Sequence, residues 1–194
     1  MVGKTVYLLG SFLIGLLLAP CYAGQYSGDK LQSSTTAITH FDEVKITLMK
    51  QTDIPVLFPQ KIVVSDKQKL FASKEPSSSD PSRHSGYRLF IDSTAECRGV
   101  HVCNVGSMAA ELAQNPQIYY DVHNKEITEP VMLEQDTKAY YTPAHAMGRF
   151  WPTMISWRCQ NVLYTLSWNL NPSNQKQQIT DMANSALATG KCHA

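Results

Sequence analysis

Along the last third of the chain, apolar and polar residues alternate with period two, and then the period changes. Ile155, Trp157 and Cys159 alternate with their neighbours, and Val162, Tyr164, Leu166 and Trp168 do so again after Gln160-Asn161. Alternation of aromatic and β-branched residues predicts two half-buried strands, with Gln160-Asn161 where a tight turn is required. Beyond Pro172, the residues Ile179, Met182, Ala183, Ala186 and Leu187 recur at the spacing of one helix face. Two strands with an apolar face and a helix with an apolar stripe exclude water by packing on one another. Residues 154–187 therefore predict a strand–strand–helix unit on which the rest of the fold is organised.

Upstream, the same patterns predict further elements. Thr39-His40-Phe41-Asp42 is a helix-start sequence, with the Asp42 carboxylate favoured beside the exposed N–H groups of a first turn. Phe41, Val44, Leu48 and Met49 form the apolar stripe of that helix, Ile46 falls off it, and Pro55 ends it. Ile54 to Pro59 is an apolar run bracketed by prolines, which predicts an edge strand because proline brings no ladder donor. Ile62 to Val64 and Leu70 to Ala72 read as short strands, and residues 73–86, rich in Ser and Pro, as an exposed loop. Tyr87 to Asp92 and Val100 to Ser107 read as strands, with Met108 to Ala113 either a short helix or a frayed strand end. Val131 to Leu133 and Ala139 to Thr142 make a hairpin turning at Gln135-Asp136, and a long loop follows, ending in Phe150-Trp151-Pro152. The sum is an α+β fold: a curved antiparallel sheet of about six to eight strands, covered by a C-terminal helix and flanked by an N-terminal one.

Residues 1–23 stand apart from this pattern. Lys4 precedes an apolar run from Val6 to Ala19, and Cys21-Tyr22-Ala23 offers small residues at the −3 and −1 positions of a cleavage site. That is the pattern of a secretory signal peptide. The run falls short of the roughly 20 residues that span a bilayer, so no transmembrane segment is expected after cleavage. Leu18-Ala19-Pro20-Cys21 loosely resembles a lipoprotein motif, which makes lipidation at Cys21 the alternative, although Pro20 stands where that motif wants a small flexible residue. Residues 24–37 are polar and read as a disordered lead-in, leaving 38–194 as a single domain expected in the periplasm or outside the cell.

Charge and cysteines narrow the function classes. The chain balances 17 Lys+Arg against 16 Asp+Glu, so no charge excess draws it to nucleic acid or to an anionic membrane surface. Cys97, Cys103, Cys159 and Cys192 remain after the leader, and an even number in an exported chain predicts two disulfides. Three connectivities are open. The favoured one is Cys97–Cys103, stapling a short loop between two strands, with Cys159–Cys192 tying the closing helix to its strand pair. Cys97, His101 and Cys103 also offer a metal two sulfurs and an imidazole, a set that suits zinc or copper. Their spacing matches no standard finger, and an oxidising compartment favours the disulfide.

Catalytic patterns are weak. His40, His84, His101, His123, His145 and His193 are scattered, with no His-Glu-x-x-His and no glycine-rich phosphate loop. Gly106-Ser107-Met108 lacks the second glycine of a nucleophile elbow. Asp92 and Glu96 lie near one strand end as an acid–base candidate, against the commoner reading of solvated loop carboxylates. No metal, cofactor or catalytic residue is expected. Trp157 and Tyr164 belong to the predicted core, whereas Phe150 and Trp151, on a proline-bounded loop, have less reason to be buried and form the candidate partner-binding loop.

Ile155-Ser156-Trp157, then Tyr164-Thr165-Leu166, then Ile-x-x-Met-Ala-x-Ser from Ile179 to Ser185 form a recurrent pattern. It resembles domain-of-unknown-function family 4367, found in extracytoplasmic portions of anti-sigma-factor-like regulators and in related lipoprotein-carrier-like sheets. The Ile54 to Pro59 run, the Tyr87 strand and the Cys97-to-Cys103 loop are also similar to small exported bacterial proteins of unknown function. The pattern covers about a fifth of the chain and consists of core residues, so the resemblance implies a fold and not a site. A sigma-factor-regulating role does not carry over, since the regulators' transmembrane helix and cytoplasmic domain have no counterpart in the pattern. The expectation is an exported, non-enzymatic interaction module of the bacterial envelope that engages a protein partner. The alternative is a carrier that holds an apolar ligand, a lipid or a lipoprotein-like chain, between sheet and helix.

Overall fold

The computed structural model describes residues 30–64, 68–75, 86–112, 115–121, 123–144 and 151–190. In chain order the elements are β1 (Lys30–Ser33), α1 (Ser34–Ala37), β2 (Ile38–Thr39), α2 (Phe41–Gln51), β3 (Lys61–Val64), β4 (Leu70–Lys74) and β5 (Gly86–Asp92). They continue with β6 (Asn104–Leu112), β7 (Glu129–Met132), β8 (Lys138–Thr142), β9 (Thr153–Cys159), β10 (Val162–Trp168) and α3 (Gln175–Leu187). Eight strands form one sheet in the order β2-β4-β5-β6-β10-β9-β8-β7, and β1 pairs with β3 in a separate two-stranded ribbon. Every pairing in the large sheet is antiparallel except β2–β4, so the sheet is mixed and the fold is α+β.

Register sorts the side chains into two faces. Tyr87, Ala110, Tyr164, Trp157 and Ala139 stand opposite one another across β5, β6, β10, β9 and β8. The next row on that face is Leu89, Met108, Leu166, Ile155 and Tyr141. All ten are buried. On β9 and β10 they are covered by α3, whose stripe Ile179, Met182, Ala183, Ala186 and Leu187 is buried as predicted. Alanine on that stripe lets the helix come close to the sheet, where Trp157 stacks on Tyr164 with ring centroids 5.8 Å apart. Lys176 fixes the start of the helix, pairing with Glu129 at 2.6 Å and lying over the Tyr141 ring. Thr153 Oγ and the Ala144 N–H both donate to Gln175 Oε1.

Sheet side chains also reach across to hold β3 and the segment before it. The Tyr87 hydroxyl donates to Leu57 O and accepts from Leu57 N, the Tyr164 hydroxyl donates to Pro55 O, and Trp168 Nε1 donates to Val63 O. These bonds explain why Ile54 to Pro59 is not the edge strand its pattern predicts. With two prolines the run cannot complete a ladder, and side chains satisfy its backbone instead.

Three other expectations are corrected. Residues 30–37 do not belong to a disordered lead-in: β1 pairs with β3 from Lys30↔Val64 to Ser33↔Lys61, supplying the ladder partner that β3 needs. The strand expected from Val100 begins at Asn104, because Val100 O accepts from both the Cys103 and Asn104 N–H groups and closes a turn. Beyond it, residues 108–112 continue as strand, the second of the two readings open for them. Met49 is not on the buried stripe of α2; it is 61% exposed, while Phe41 and Leu48 turn inward. At the two hairpins the prediction holds: positive φ falls on Gln160, and on both Gln135 and Asp136 as a primed turn requires.

Residues 1–29, with the expected signal peptide, lie outside the described residues. No helix among the described residues is long and apolar enough to cross a membrane.

Candidate functional site

Between β5 and β6 the chain makes a compact loop closed by the Cys97–Cys103 disulfide, with Cα atoms 5.8 Å apart. Its base is organised by Asp92, a carboxylate only 1% exposed. Asp92 Oδ2 accepts from Ser73 Oγ at 3.0 Å and from the Gly99 N–H at 3.1 Å, and Oδ1 accepts from Asn104 Nδ2 at 2.9 Å. Both oxygens are therefore engaged, and the buried charge is compensated by three donors. The Ser93 N–H and hydroxyl both donate to Cys103 O, fixing the other end of the loop. At the bend, Arg98 and Gly99 have φ of 49° and 81°. A Cβ on Gly99 would lie 2.8 Å from the Phe90 ring, so that position needs glycine for space as well as for conformation.

These constraints hold two β-branched apolar side chains out of the protein. Val100 is 57% exposed and Val102 is 90% exposed, with the exposed His101 between them. A free loop would let valines fold back on the nearest apolar surface. Here the disulfide, Asp92 and the Cys103 backbone prevent it.

The predicted residues separate. Cys97 and Cys103 are bonded to each other as expected, and His101 projects from the loop beside them. No group of three metal-ligating side chains occurs among the described residues. Cys159 is also disulfide-bonded, and its expected partner Cys192 lies outside the described residues. Asp92 is a structural anchor, whereas Glu96 is exposed, so the two do not share an environment. Trp151 is half-buried, its ring edge-on to Tyr119 at 5.7 Å, with Nε1 buried and without a hydrogen-bond partner. Phe150 lies outside the described residues.

The sheet face opposite the core carries a different chemistry. Its middle rows hold Ser156 opposite Thr165 and Ser107 opposite Ser167, all half-buried, with Tyr140 beside Ser156, and with buried Ala109 beside Thr165 and buried Met154 beside Ser167. Arg88, Glu111, Arg158 and Lys138 lie on the same face toward the strand ends remote from the disulfide loop, and all four are exposed. Neither the valine tip nor this face is legible in the sequence. Val100-His101-Val102 has the alternation of a strand, and polar residues between core residues read as the solvent side of a sheet. The usable signal for the tip was Gly99 inside a short Cys–Cys span, which favours a bend over a strand.

Comparison with protein-family models, with curated proteins and with solved structures gives no match to this chain.

Proposed function

We propose that this protein is an exported, non-enzymatic interaction module whose Cys97–Cys103 loop docks into an apolar pocket of a protein partner. The observation that carries the reading is Val102, 90% exposed at the tip of a loop whose backbone is fixed before any partner arrives. Burial of a valine contributes about 1.5–3 kcal/mol, and a preformed loop loses little entropy on binding. Two sulfurs closing a short loop fit an oxidising compartment, in keeping with the leader pattern in residues 1–23. The interaction reading is favoured over an apolar-ligand carrier by the packing between α3 and the sheet. Stacked Trp157 and Tyr164 stand there beneath fully buried Met182, Ala183 and Ala186.

Cross-linking in the native exported fraction tests this, comparing the natural protein with Val102→Asp. The expected result is a discrete cross-linked partner that disappears with the variant while its unfolding midpoint stays the same. An unchanged partner set contradicts the docking loop. A lipid released only on denaturation, seen by native mass spectrometry, would establish the carrier instead.

A further inference from the structure

We propose that the Cys97–Cys103 disulfide is a redox switch. Oxidised, it holds the docking loop in its present shape; reduced, it lets residues 93–104 zip into a β-hairpin that abolishes the valine tip. The consequence for a partner rests on the docking reading, whereas the two shapes are a property of the chain alone.

The first observation is register. β5 and β6 pair in one register from Gly86↔Glu111 to Ile91↔Gly106, and then a bulge shifts Asp92 onto Asn104. Continued unshifted, that register would bring Ser93 to Asn104, Thr94 to Cys103, Ala95 to Val102, Glu96 to His101 and Cys97 to Val100. Arg98 and Gly99 would be left as a two-residue turn. The favoured two-residue hairpin turn has positive φ at both positions. Arg98 and Gly99 already have φ of 49° and 81°, and the Val100 N–H already donates to Cys97 O at 3.1 Å. The present loop therefore carries the closing turn of the uninterrupted hairpin.

The second observation is the side-chain pattern. In that hairpin Ala95, Cys97, Val100 and Val102 would share one face, and Thr94, Glu96 and His101 the other. This is the alternation that makes Val100 to Ser107 read as a strand. What opposes it is the disulfide. In the hairpin Cys103 would lie three positions along the ribbon from Cys97, about 10 Å at the rise of a strand. A disulfide needs Cα atoms within about 7 Å, and these are 5.8 Å apart. Bond and hairpin exclude each other. The Gly99 N–H bond to Asp92 Oδ2, and the bonds from the Cys103 and Asn104 N–H groups to Val100 O, would be exchanged for ladder bonds at Cys97↔Val100, Ala95↔Val102 and Ser93↔Asn104. The change trades hydrogen bonds and does not forfeit them, as a two-state element requires.

Reduction is an exchange with a protein dithiol. Cys97 is buried and Cys103 half-buried, so the dithiol's first thiolate attacks Cys103 Sγ. The bond to Cys97 breaks with its electron pair, and the Cys97 thiolate takes a proton from water. The second thiolate of the dithiol then attacks the reductant's sulfur in the mixed disulfide and releases Cys103 as a thiolate, which is protonated in turn. Two electrons pass: the loop disulfide becomes two thiols and the dithiol becomes a disulfide.

Amide exchange followed by NMR tests the switch, on the natural chain and on the Cys97→Ser, Cys103→Ser double variant, which leaves the Cys159 disulfide in place. The N–H groups of Ala95 and Val102 make no hydrogen bond among the described residues. In the double variant both should exchange at least about tenfold more slowly, as ladder donors. The Gly99 and Cys103 N–H groups, hydrogen-bonded now, should exchange faster. The Hα protons of Glu96 and His101 should come into contact across the ribbon. Adding Arg98→Asn supplies the Asn-Gly pair favoured in this turn; it should deepen the protection, and it carries the test if the double variant is unstable. Retention of the natural exchange pattern overturns the proposal. So does a loop that loosens with Ala95 and Val102 still fast, and so does a chain that unfolds with all three substitutions. None of these readouts involves a partner, so they are independent of the Val102→Asp cross-linking that judges the docking reading.

Discussion

Apolar residues have opposite fates in two regions of this molecule. Under α3 and β3, Trp157, Trp168, Tyr164 and Leu166 sit on alternate positions of β9 and β10 and are covered almost completely. In the Cys97–Cys103 loop, Val100 and Val102 also alternate, yet they stand in water. The local pattern is alike, and the difference lies in what the backbone is tied to. The strands are tied to one another, so their apolar faces must meet the helix. The loop is tied to a buried carboxylate and to a disulfide, so its apolar side chains have nothing to meet within the chain. Burial in the first region makes the fold; exposure in the second is available for recognition.

The largest effect belongs to the covered region. Trp168→Ala should cost about 3–5 kcal/mol, through the cavity beneath β3 and the loss of its indole bond to Val63 O, as read by denaturant unfolding. Little change there would mean that Trp168 does not hold the β1–β3 ribbon to the sheet.

Next is the anchor of the loop. Asp92→Ala removes three hydrogen bonds to a buried carboxylate, and a loss of about 3 kcal/mol is expected. Amide exchange at Gly99 should accelerate along with it. Global destabilisation with Gly99 still protected would show that the disulfide alone shapes the loop.

A smaller effect follows pH. Burial pushes the Tyr164 phenol up to about 12 and raises Tyr87 further, the latter helped by the neighbouring Tyr164. The unfolded chain loses these protons near pH 10 while the folded chain keeps them. Stability from these groups is therefore complete below pH 10 and falls as pH rises from there through 12. The denaturation midpoint should drop between pH 9.5 and 11.5, less steeply in Tyr164→Phe. An identical slope in that variant would assign the alkaline loss to other groups.

Legibility in the sequence follows the same division. The strand–strand–helix unit was readable because Ile155 to Trp168 and Ile179 to Leu187 each obey one period over several turns or pleats, and burial depends on that period. The strap at Ile54 to Pro59 was misread because its apolar residues are buried without a ladder, held by hydroxyls of Tyr87 and Tyr164 from far along the chain. β1 was missed since a polar strand that only completes a ribbon carries no apolar alternation. Met49 was placed inward because a stripe four residues wide on a helix cannot say which edge meets the core. The loop anchor was hidden for a related reason: Asp92 and Asn104 read as separate polar residues until the fold brings them to 2.9 Å.

The proposed docking role requires that the Cys97–Cys103 loop be rigid before binding and that its valines make the contact. Quantitative cross-linking of Val102→Asp in cells that make the protein, with its unfolding midpoint measured in parallel, addresses both points at once. The expected result is a stability change within about 0.5 kcal/mol, as for an exposed side chain, together with loss of the cross-linked partner. A variant that keeps its partner, or one that unfolds substantially, would contradict it.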